Sequence, residues 1–139
     1  MSASCITLTN KSIEKFEENR STFKVHNKSR RNLARHQVDG CLIKSGIKCD
    51  WLLVEEDSKT EIYIELKGSD IEHAVEQICK TVEQLSTPKS KRWGYVICTR
   101  SPLSTTEIQR AAKNVAKSHR VTLRVRKTVH EEDIENLIS

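Results

Sequence analysis

The sequence lacks the features that mark several large classes of protein. No apolar run in its 139 residues approaches the roughly 20 residues that a transmembrane helix needs. The first residues, MSASCITLTNKS, contain no apolar core of a secretory signal peptide. No internal repeat, low-complexity tract or linker divides the chain. These absences predict a single domain, residues 1–139, that is cytoplasmic and has no membrane partner.

Cysteine occurs without a metal-binding or disulfide pattern. The five cysteines are odd in number, scattered, and include no Cys-x-x-Cys pair. They are Cys5, Cys41, Cys49, Cys79 and Cys98. We therefore expect reduced, largely buried cysteines and no zinc site.

The net charge of +5 hides an uneven distribution along the chain. Residues 20–38 carry six Lys or Arg and no acid, residues 39–85 carry eleven acids against five bases, and residues 86–128 carry eleven bases against one acid. An acidic middle between basic flanks suits a protein that holds a polyanion near a carboxylate cluster. Ordinary solvated helix faces would give the same composition, and charge alone does not separate the two interpretations.

The hydrophobic pattern predicts the order αβββαβαβ, a mixed sheet with helices packed against it. KSIEKFEENR predicts a first helix that turns Ile13 and Phe16 inward. Three strands of an antiparallel meander are expected at residues 38–43, 49–54 and 61–66, because turn-forming stretches separate them.

The second half of the chain predicts alternating helices and strands. A capping box from Ser69 to Glu72 opens an amphipathic helix, and a second box from Ser104 to Glu107 opens another. RWGYVICT and VTLRVRKT predict the strands that follow these helices, and EEDIENLIS predicts a final helical turn.

The stretch EIYIELKGSD places an acid two residues before a lysine. Glu65 and Lys67 share one face of a strand because its side chains alternate, while the intervening apolar residues pack behind them. Two charged groups at the inner end of an apolar strand are costly unless they have partners. The same spacing at Asp57 and Lys59 lies in a polar turn, where we expect solvent contacts only.

Asp50 is a candidate partner, because a hairpin with its loop at 55–60 brings the start of the preceding strand toward Glu65. Two converging carboxylates repel each other, and a divalent cation such as Mg²⁺ removes that cost. Lys67 cannot ligate the cation but can orient a water and neutralise a phosphate. The structural alternative is a cross-strand ion pair.

Asp50, the IELK stretch and a following helix that carries Gln77, on an αβββαβ order, resemble the PD-(D/E)XK nuclease superfamily over roughly residues 12–99. The resemblance implies a restriction-endonuclease-like α/β (α+β mixed-sheet) fold, with an αβββαβ core, an additional helix and a C-terminal strand. The short chain is similar to small Holliday-junction resolvases and to phage or mobile-element nucleases.

The resemblance also implies roles for individual residues. Asp50 and Glu65, with the backbone carbonyl of Leu66, would bind Mg²⁺ or Mn²⁺, and Lys67 would position the attacking water. The family often adds an acid from its first helix, for which Glu17 is the candidate here.

Gln77 resembles the helix glutamine of several subgroups, including RecB-like nucleases. It lies at the edge of the apolar stripe of its helix, from which it could reach the site. Thr81 stands where the RecB-like pattern has a tyrosine, so that subgroup is not assigned.

Basic residues on both flanks are expected beside the mouth of the site, where they would hold nucleic acid across the carboxylates. The predicted phosphate contacts are Lys28, Arg30, Arg31 and Arg35, with a second patch at Lys89, Lys91 and Arg92. Phosphate contacts carry no base information, so recognition should depend on substrate structure rather than sequence.

The sequence therefore predicts a Mg²⁺-dependent nuclease, with DNA favoured as its substrate. The alternative is a nuclease fold without catalysis that serves as a nucleic-acid-binding or protein-interaction module. The presence of Asp50, Glu65 and Lys67 together favours the enzyme. A homodimer is left open.

Overall fold

The computed structural model describes residues 5–66, 70–100 and 104–139. Within them the chain forms a mixed α/β structure with two sheets and three helices. The elements are β1 Ile6–Thr9, β2 Ile13–Glu18, β3 Ser21–His26, β4 Leu33–Gln37, β5 Trp51–Glu55, β6 Thr60–Leu66, α1 Ile71–Leu85, β7 Arg92–Cys98, α2 Thr105–His119, β8 Val121–Lys127, β9 Val129–Asp133 and α3 Ile134–Ile138. No helix in these ranges is long and apolar enough to cross a membrane.

The larger sheet has six strands in the order β1-β4-β5-β6-β7-β8. Strands β1, β4, β5 and β6 pair antiparallel, whereas β6, β7 and β8 pair parallel. The parallel pairs need long crossovers, which α1 and α2 supply. The second and third predicted strands of the meander, the additional helix and the C-terminal strand are present.

Helices α1 and α2 cover one face of the six-stranded sheet. Ile71, Ala74 and Ile78 follow one another at helical spacing and are buried in a core that also contains Tyr63 and Val96 of the sheet. Helix α2 begins at the expected capping box, in which Ser104 and Glu107 exchange hydrogen bonds. Asp70 is the N-cap of helix α1, and its side chain accepts from His73 N. The capping box predicted from Ser69 falls on a residue outside the described ranges.

The smaller sheet, in the order β2-β3-β9, packs with α3 on the opposite side of the six-stranded sheet. Phe16 and Phe23 of this sheet are buried against Ile64 and Tyr95 of the larger sheet. Two cores therefore lie on the two faces of β6, and all seven of its residues are buried.

The predicted first helix is wrong, because residues 13–18 form strand β2. Its buried residues alternate as Glu14 and Phe16, and Glu18 on the same side is half-buried. The Glu14 carboxylate is buried because it accepts hydrogen bonds from Arg35 Nη1 at 3.1 Å and Thr9 Oγ1 at 2.8 Å. Because one of the buried positions is an acid, the apolar residues alone do not show the two-residue period of a strand.

The first strand of the meander also lies earlier than predicted. Strand β4 spans Leu33–Gln37, whereas residues 38–43, predicted as a strand, form turns around an isolated bridge from Asp39 to Ile43. Gly40, at a φ of +75°, allows the chain to turn there. The polar character of β4 is explained by Arg35, whose guanidinium lies 4.0 Å from the ring centroid of Phe16.

The expectation that all five cysteines are reduced is wrong for two of them. Cys5 and Cys41 form a disulfide that ties the start of β1 to the turns after β4. Cys49, Cys79 and Cys98 are free thiols, and Cys49 and Cys98 are buried as predicted. The two bridged cysteines are 36 positions apart, so no spacing in the sequence indicates their pairing.

Candidate active site

Asp50 and Glu65 lie opposite each other at the end of the β5–β6 hairpin. The pairing of Trp51 with Ile64 continues by one residue, since Asp50 N donates to Ile64 O at 3.1 Å. Leu66 N donates to Asp50 Oδ2 at 2.8 Å, which fixes the carboxylate against the end of β6. The predicted convergence of Asp50 and Glu65 is confirmed.

Glu65 is buried, with 7 % of its surface exposed. Its Oε1 has no hydrogen-bond partner among the described residues. Burial, followed by the negative charge of Asp50, raises the pKa of Glu65 to about 9. An ionised carboxylate is unfavourable in this environment, and binding of a proton or a cation stabilises it.

Two more acids increase the negative potential at Glu65. Glu18, at the end of β2, and Asp39, after β4, both raise the pKa of Glu65 further. An open cleft of about 210 Å³ lies here. Its lining consists of Glu17, Glu18, Gln37, Asp39, Asp50 and Trp51.

Glu17 stands on the rim of the cleft but not on a helix, which corrects the predicted helical acid. Its side chain is 53 % exposed and pairs with Lys15 at 3.5 Å. Because β2 is a strand, Glu17 faces outward and Glu18 faces the larger sheet. Glu18 is therefore the better candidate for the assisting acid.

Lys67 and Leu66 are the two further residues predicted at the centre of the site. Lys67 lies outside the described residues, so its role stays a prediction. Leu66 ends β6 directly beside Asp50, where its backbone carbonyl stays a candidate ligand.

Gln77 and Thr81 of α1 hold the backbone that leads into Asp50. Gln77 Nε2 donates to Lys48 O at 3.0 Å, and Thr81 Oγ1 accepts from Cys49 N at 2.8 Å. The Thr81 hydroxyl also donates to the backbone carbonyl of Gln77, four residues earlier in the same helix. Gln77 is thus a positioning residue for Asp50 in this structure.

The described residues offer two converging carboxylates, Asp50 and Glu65, at the predicted metal site. No group of three His, Cys, Asp or Glu in the described ranges is close enough to hold a metal ion. The pair Asp50 and Glu65 still suits Mg²⁺, because this ion commonly binds through one or two carboxylates and completes its shell with water and phosphate. The unpartnered Glu65 Oε1 is the observation that supports a cation here.

The first predicted basic patch lies away from the carboxylates. Strand β4 runs antiparallel to β5, so its beginning, Leu33, pairs with Glu55 at the far end of β5 from Asp50. Lys28, Arg30 and Arg31 precede that beginning. The expected position beside the mouth of the site is therefore wrong for these three residues.

Arg31 and Arg35 are also engaged in contacts within the protein. Arg31 forms two hydrogen bonds to the Glu135 carboxylate, at 2.7 and 2.9 Å. Arg35 is half-buried between Glu14, Phe16 and Trp51. Phosphate contacts by these two arginines would require those pairs to break.

The second predicted patch, Lys89, Lys91 and Arg92, also lies at the far end of the sheet. Arg92 pairs with Glu61 in the β6–β7 register, four residues from Glu65, which corresponds to roughly 13 Å along a strand. Arg92 donates to Ser86, Thr87 and His119 and lies 3.6 Å from the buried Glu61 carboxylate. Lys91 donates to Ser139 O and lies over Trp93.

Sequence reasoning missed Glu18 and Thr81. Glu18 could have been found by reading residues 13–18 with a period of two. The role of Thr81 depends on its hydrogen bond with Cys49 N, 32 positions away in the sequence, and no local sequence pattern indicates that contact. Comparison of the chain with family models, curated proteins and solved structures finds no match.

Proposed function

We propose that this protein is a Mg²⁺- or Mn²⁺-dependent nuclease of the restriction-endonuclease-like type, which hydrolyses phosphodiester bonds in nucleic acid. DNA is the proposed substrate, recognised by its structure rather than its base sequence. The carrying observation is the Asp50–Glu65 pair, in which a buried carboxylate oxygen has no partner among the described residues.

The electrostatics support a cation at this position. Asp50, Glu18 and Asp39 all disfavour a charged Glu65, so a divalent ion bound to Glu65 would relieve this repulsion. A bound divalent ion supplies Lewis acidity to a phosphate and lowers the pKa of a water. A lone structural ion pair would not account for a buried oxygen that lacks a partner.

The chain's own residues would divide the remaining work. Leu66 N orients the Asp50 carboxylate, and Gln77 and Thr81 fix the backbone before Asp50. Lys67, one position beyond β6, would neutralise the phosphate and hold the attacking water. The open cleft gives an extended polyanion access to these groups.

The test is cleavage of linear, circular, single-stranded and four-way-junction DNA with Mg²⁺ or Mn²⁺, in the wild type and in Asp50→Asn. Asp50→Asn should lose cleavage while keeping its fold, because the amide is isosteric but a much poorer ligand. Asp57→Asn is the matched control, since Asp57 is an exposed acid in the other acid-x-lysine sequence, at the far end of the hairpin. It should cleave like the wild type.

Two results would overturn the proposal. One is cleavage by Asp50→Asn at the wild-type rate. The other is a wild type that binds DNA without cutting any member of the panel, which would favour the non-catalytic binding module instead.

A further inference from the structure

The parallel strands β6, β7 and β8 end together at the edge of the sheet that holds the carboxylates. Leu66 pairs with Ile97, and Ile97 pairs with Arg126. Lys127 then pairs with Cys98 at the last position of the ladder. Arg126 therefore lies two strands from Leu66, which is roughly 10 Å across the sheet.

The turn between β2 and β3 reaches the same end of the molecule. Thr128 N donates to Cys98 O at 2.8 Å, and Thr22 N donates to Thr128 O at 2.8 Å. Arg20 lies in that turn, two positions before Thr22, and Glu18 before it contributes to the potential at Glu65. The end of β6, the end of β8 and this turn thus surround one edge.

Four basic residues occupy this edge, and we call them the carboxyl-end ridge: Arg20, Arg100, Arg126 and Lys127. Arg20, Arg100 and Lys127 are exposed, and Arg126 is half-buried. None of the four has an ion-pair partner among the residues that the structure describes. Within the described ranges, Arg126 Nη1 donates to the neighbouring carbonyl of Val125 at 3.0 Å.

The nearby acids of the smaller sheet do not neutralise the ridge. Glu131 forms a hydrogen bond with His26, and Glu132 accepts from Tyr95 Oη at 2.8 Å and contacts His130 Nε2 at 2.7 Å. Exposed cations without acidic partners beside a cleft of acids would compensate the repulsion that a phosphate chain meets there. The basic residues at the other end of the sheet do not lie beside this cleft.

We propose that the carboxyl-end ridge is the surface that holds the nucleic-acid backbone, and that the polyanion runs across the ends of β6, β7 and β8. This inference rests on the proposed function, since it names the substrate-binding surface of the same site. It differs from the sequence prediction, which assigned the backbone to residues at the opposite end of the sheet.

The experiment measures binding of a short labelled duplex DNA in EDTA, by fluorescence anisotropy over a series of salt concentrations. The ridge variant is Arg20→Gln, Arg100→Gln and Lys127→Gln together. The matched control is Lys28→Gln, Arg30→Gln and Lys89→Gln, which removes the same charge from exposed positions at the far end. Arg126 is kept because it is half-buried.

The ridge variant should lower the slope of log K against log salt by about 0.9 for each lost contact, or about 2.7 in all. The control should keep the wild-type slope. Equal losses in both variants, a loss in the control alone, or a wild type that does not bind the duplex would each overturn the inference.

Binding without metal separates this inference from the proposed chemistry. If the ridge variant lowers the salt slope but the protein cuts no substrate, the binding surface is supported and the nuclease activity is contradicted. If the protein cleaves DNA with metal but the ridge variant keeps the wild-type salt slope, the nuclease activity is supported and the role of the ridge is contradicted. Circular dichroism of both variants checks that neither has lost its fold.

Discussion

Glu65 is the residue at which stability and proposed function oppose each other. A buried carboxylate with an unpartnered oxygen, next to Asp50, weakens the folded chain when it is ionised. An apolar residue at this end of β6 would pack without that cost. A residue retained against its own stability is typical of a site that receives a ligand.

Glu65→Gln should stabilise the metal-free protein at neutral pH, by on the order of 2 kcal/mol. The folded-state pKa of Glu65, about 9, lies above the ordinary value of 4.5, so the folded protein holds a proton that the unfolded chain releases. The contribution of Glu65 is therefore complete below about pH 4.5 and is lost as the pH rises through about 9.

Urea unfolding in EDTA across this pH range measures the effect. The difference between Glu65→Gln and the wild type should grow with pH and level off above about 9. Glu17→Gln, on the exposed side of β2, should leave the wild-type pH profile unchanged. A constant difference between Glu65→Gln and the wild type at every pH would show that Glu65 titrates normally.

Metal binding should release a proton from the same group. A cation that binds Glu65 must displace the proton held there at neutral pH, so the affinity for Mn²⁺ should rise by up to about tenfold per pH unit below about pH 9. Calorimetry in two buffers of different ionisation enthalpy measures the protons released. No proton release at pH 7 would mean that Glu65 does not ligate the ion.

At the scale of elements, the sequence predicts the helices and central strands better than the edges. Strand β6 and helix α1 have strong apolar patterns, and their packing follows from those patterns. The helix predicted over residues 13–18 is wrong because the inward side of β2 carries Glu14 as well as Phe16, and contacts with Arg35 and Thr9 make Glu14 acceptable there. Long-range pairing thus decided the conformation of this segment over local pattern.

The candidate site shows the same division between local and distant information. Asp50 and Glu65 could be placed together from one hairpin, because the turn between β5 and β6 fixes their register. The basic residues could not be placed, since their position depends on which end of each strand they follow. Arg20 and Arg31 are eleven positions apart, yet they lie at opposite ends of the molecule.

Thr81→Val should destabilise the protein and loosen the site together. The substitution keeps the shape but removes the acceptor of Cys49 N, and a buried amide left without a partner costs about 1–3 kcal/mol. Asp50 is the next residue, so we also expect weaker Mn²⁺ binding. Urea unfolding and calorimetry measure the two effects, with the exposed Thr106→Val on α2 as the control. Unchanged Mn²⁺ affinity in a destabilised variant would confine Thr81 to packing.

At the scale of the whole molecule, the two ends of the six-stranded sheet differ in the charged groups that they carry. One end holds the carboxylates and the carboxyl-end ridge. At the other end, Arg92 binds the buried Glu61, which also accepts from Tyr63 Oη and Thr87 N. Arg31 and Arg92 at the far end are paired within the protein, whereas no ion pair is found for the carboxyl-end ridge among the described residues. We therefore expect the two ends to contribute differently to the salt dependence of DNA binding.

The disulfide connects the edge of the sheet to the site end, because Cys41 follows Asp39 by two residues and Cys5 precedes β1. Removing it with Cys5→Ser and Cys41→Ser together should lower the free energy of unfolding by about 3–4 kcal/mol, since a bridge across 36 positions restricts the unfolded chain. The turns after β4 carry Asp39, so Mn²⁺ affinity should fall as well. Urea unfolding with and without a thiol reductant measures the first effect, and the double variant should be insensitive to the reductant. A wild type whose stability is the same in both conditions would show that Cys5 and Cys41 remain thiols. The turns around Asp39 would then be held by hydrogen bonds such as those from Val38 N and Asp39 N to Asp50 O, and by the pairing of Asp39 with Lys48 at 3.6 Å.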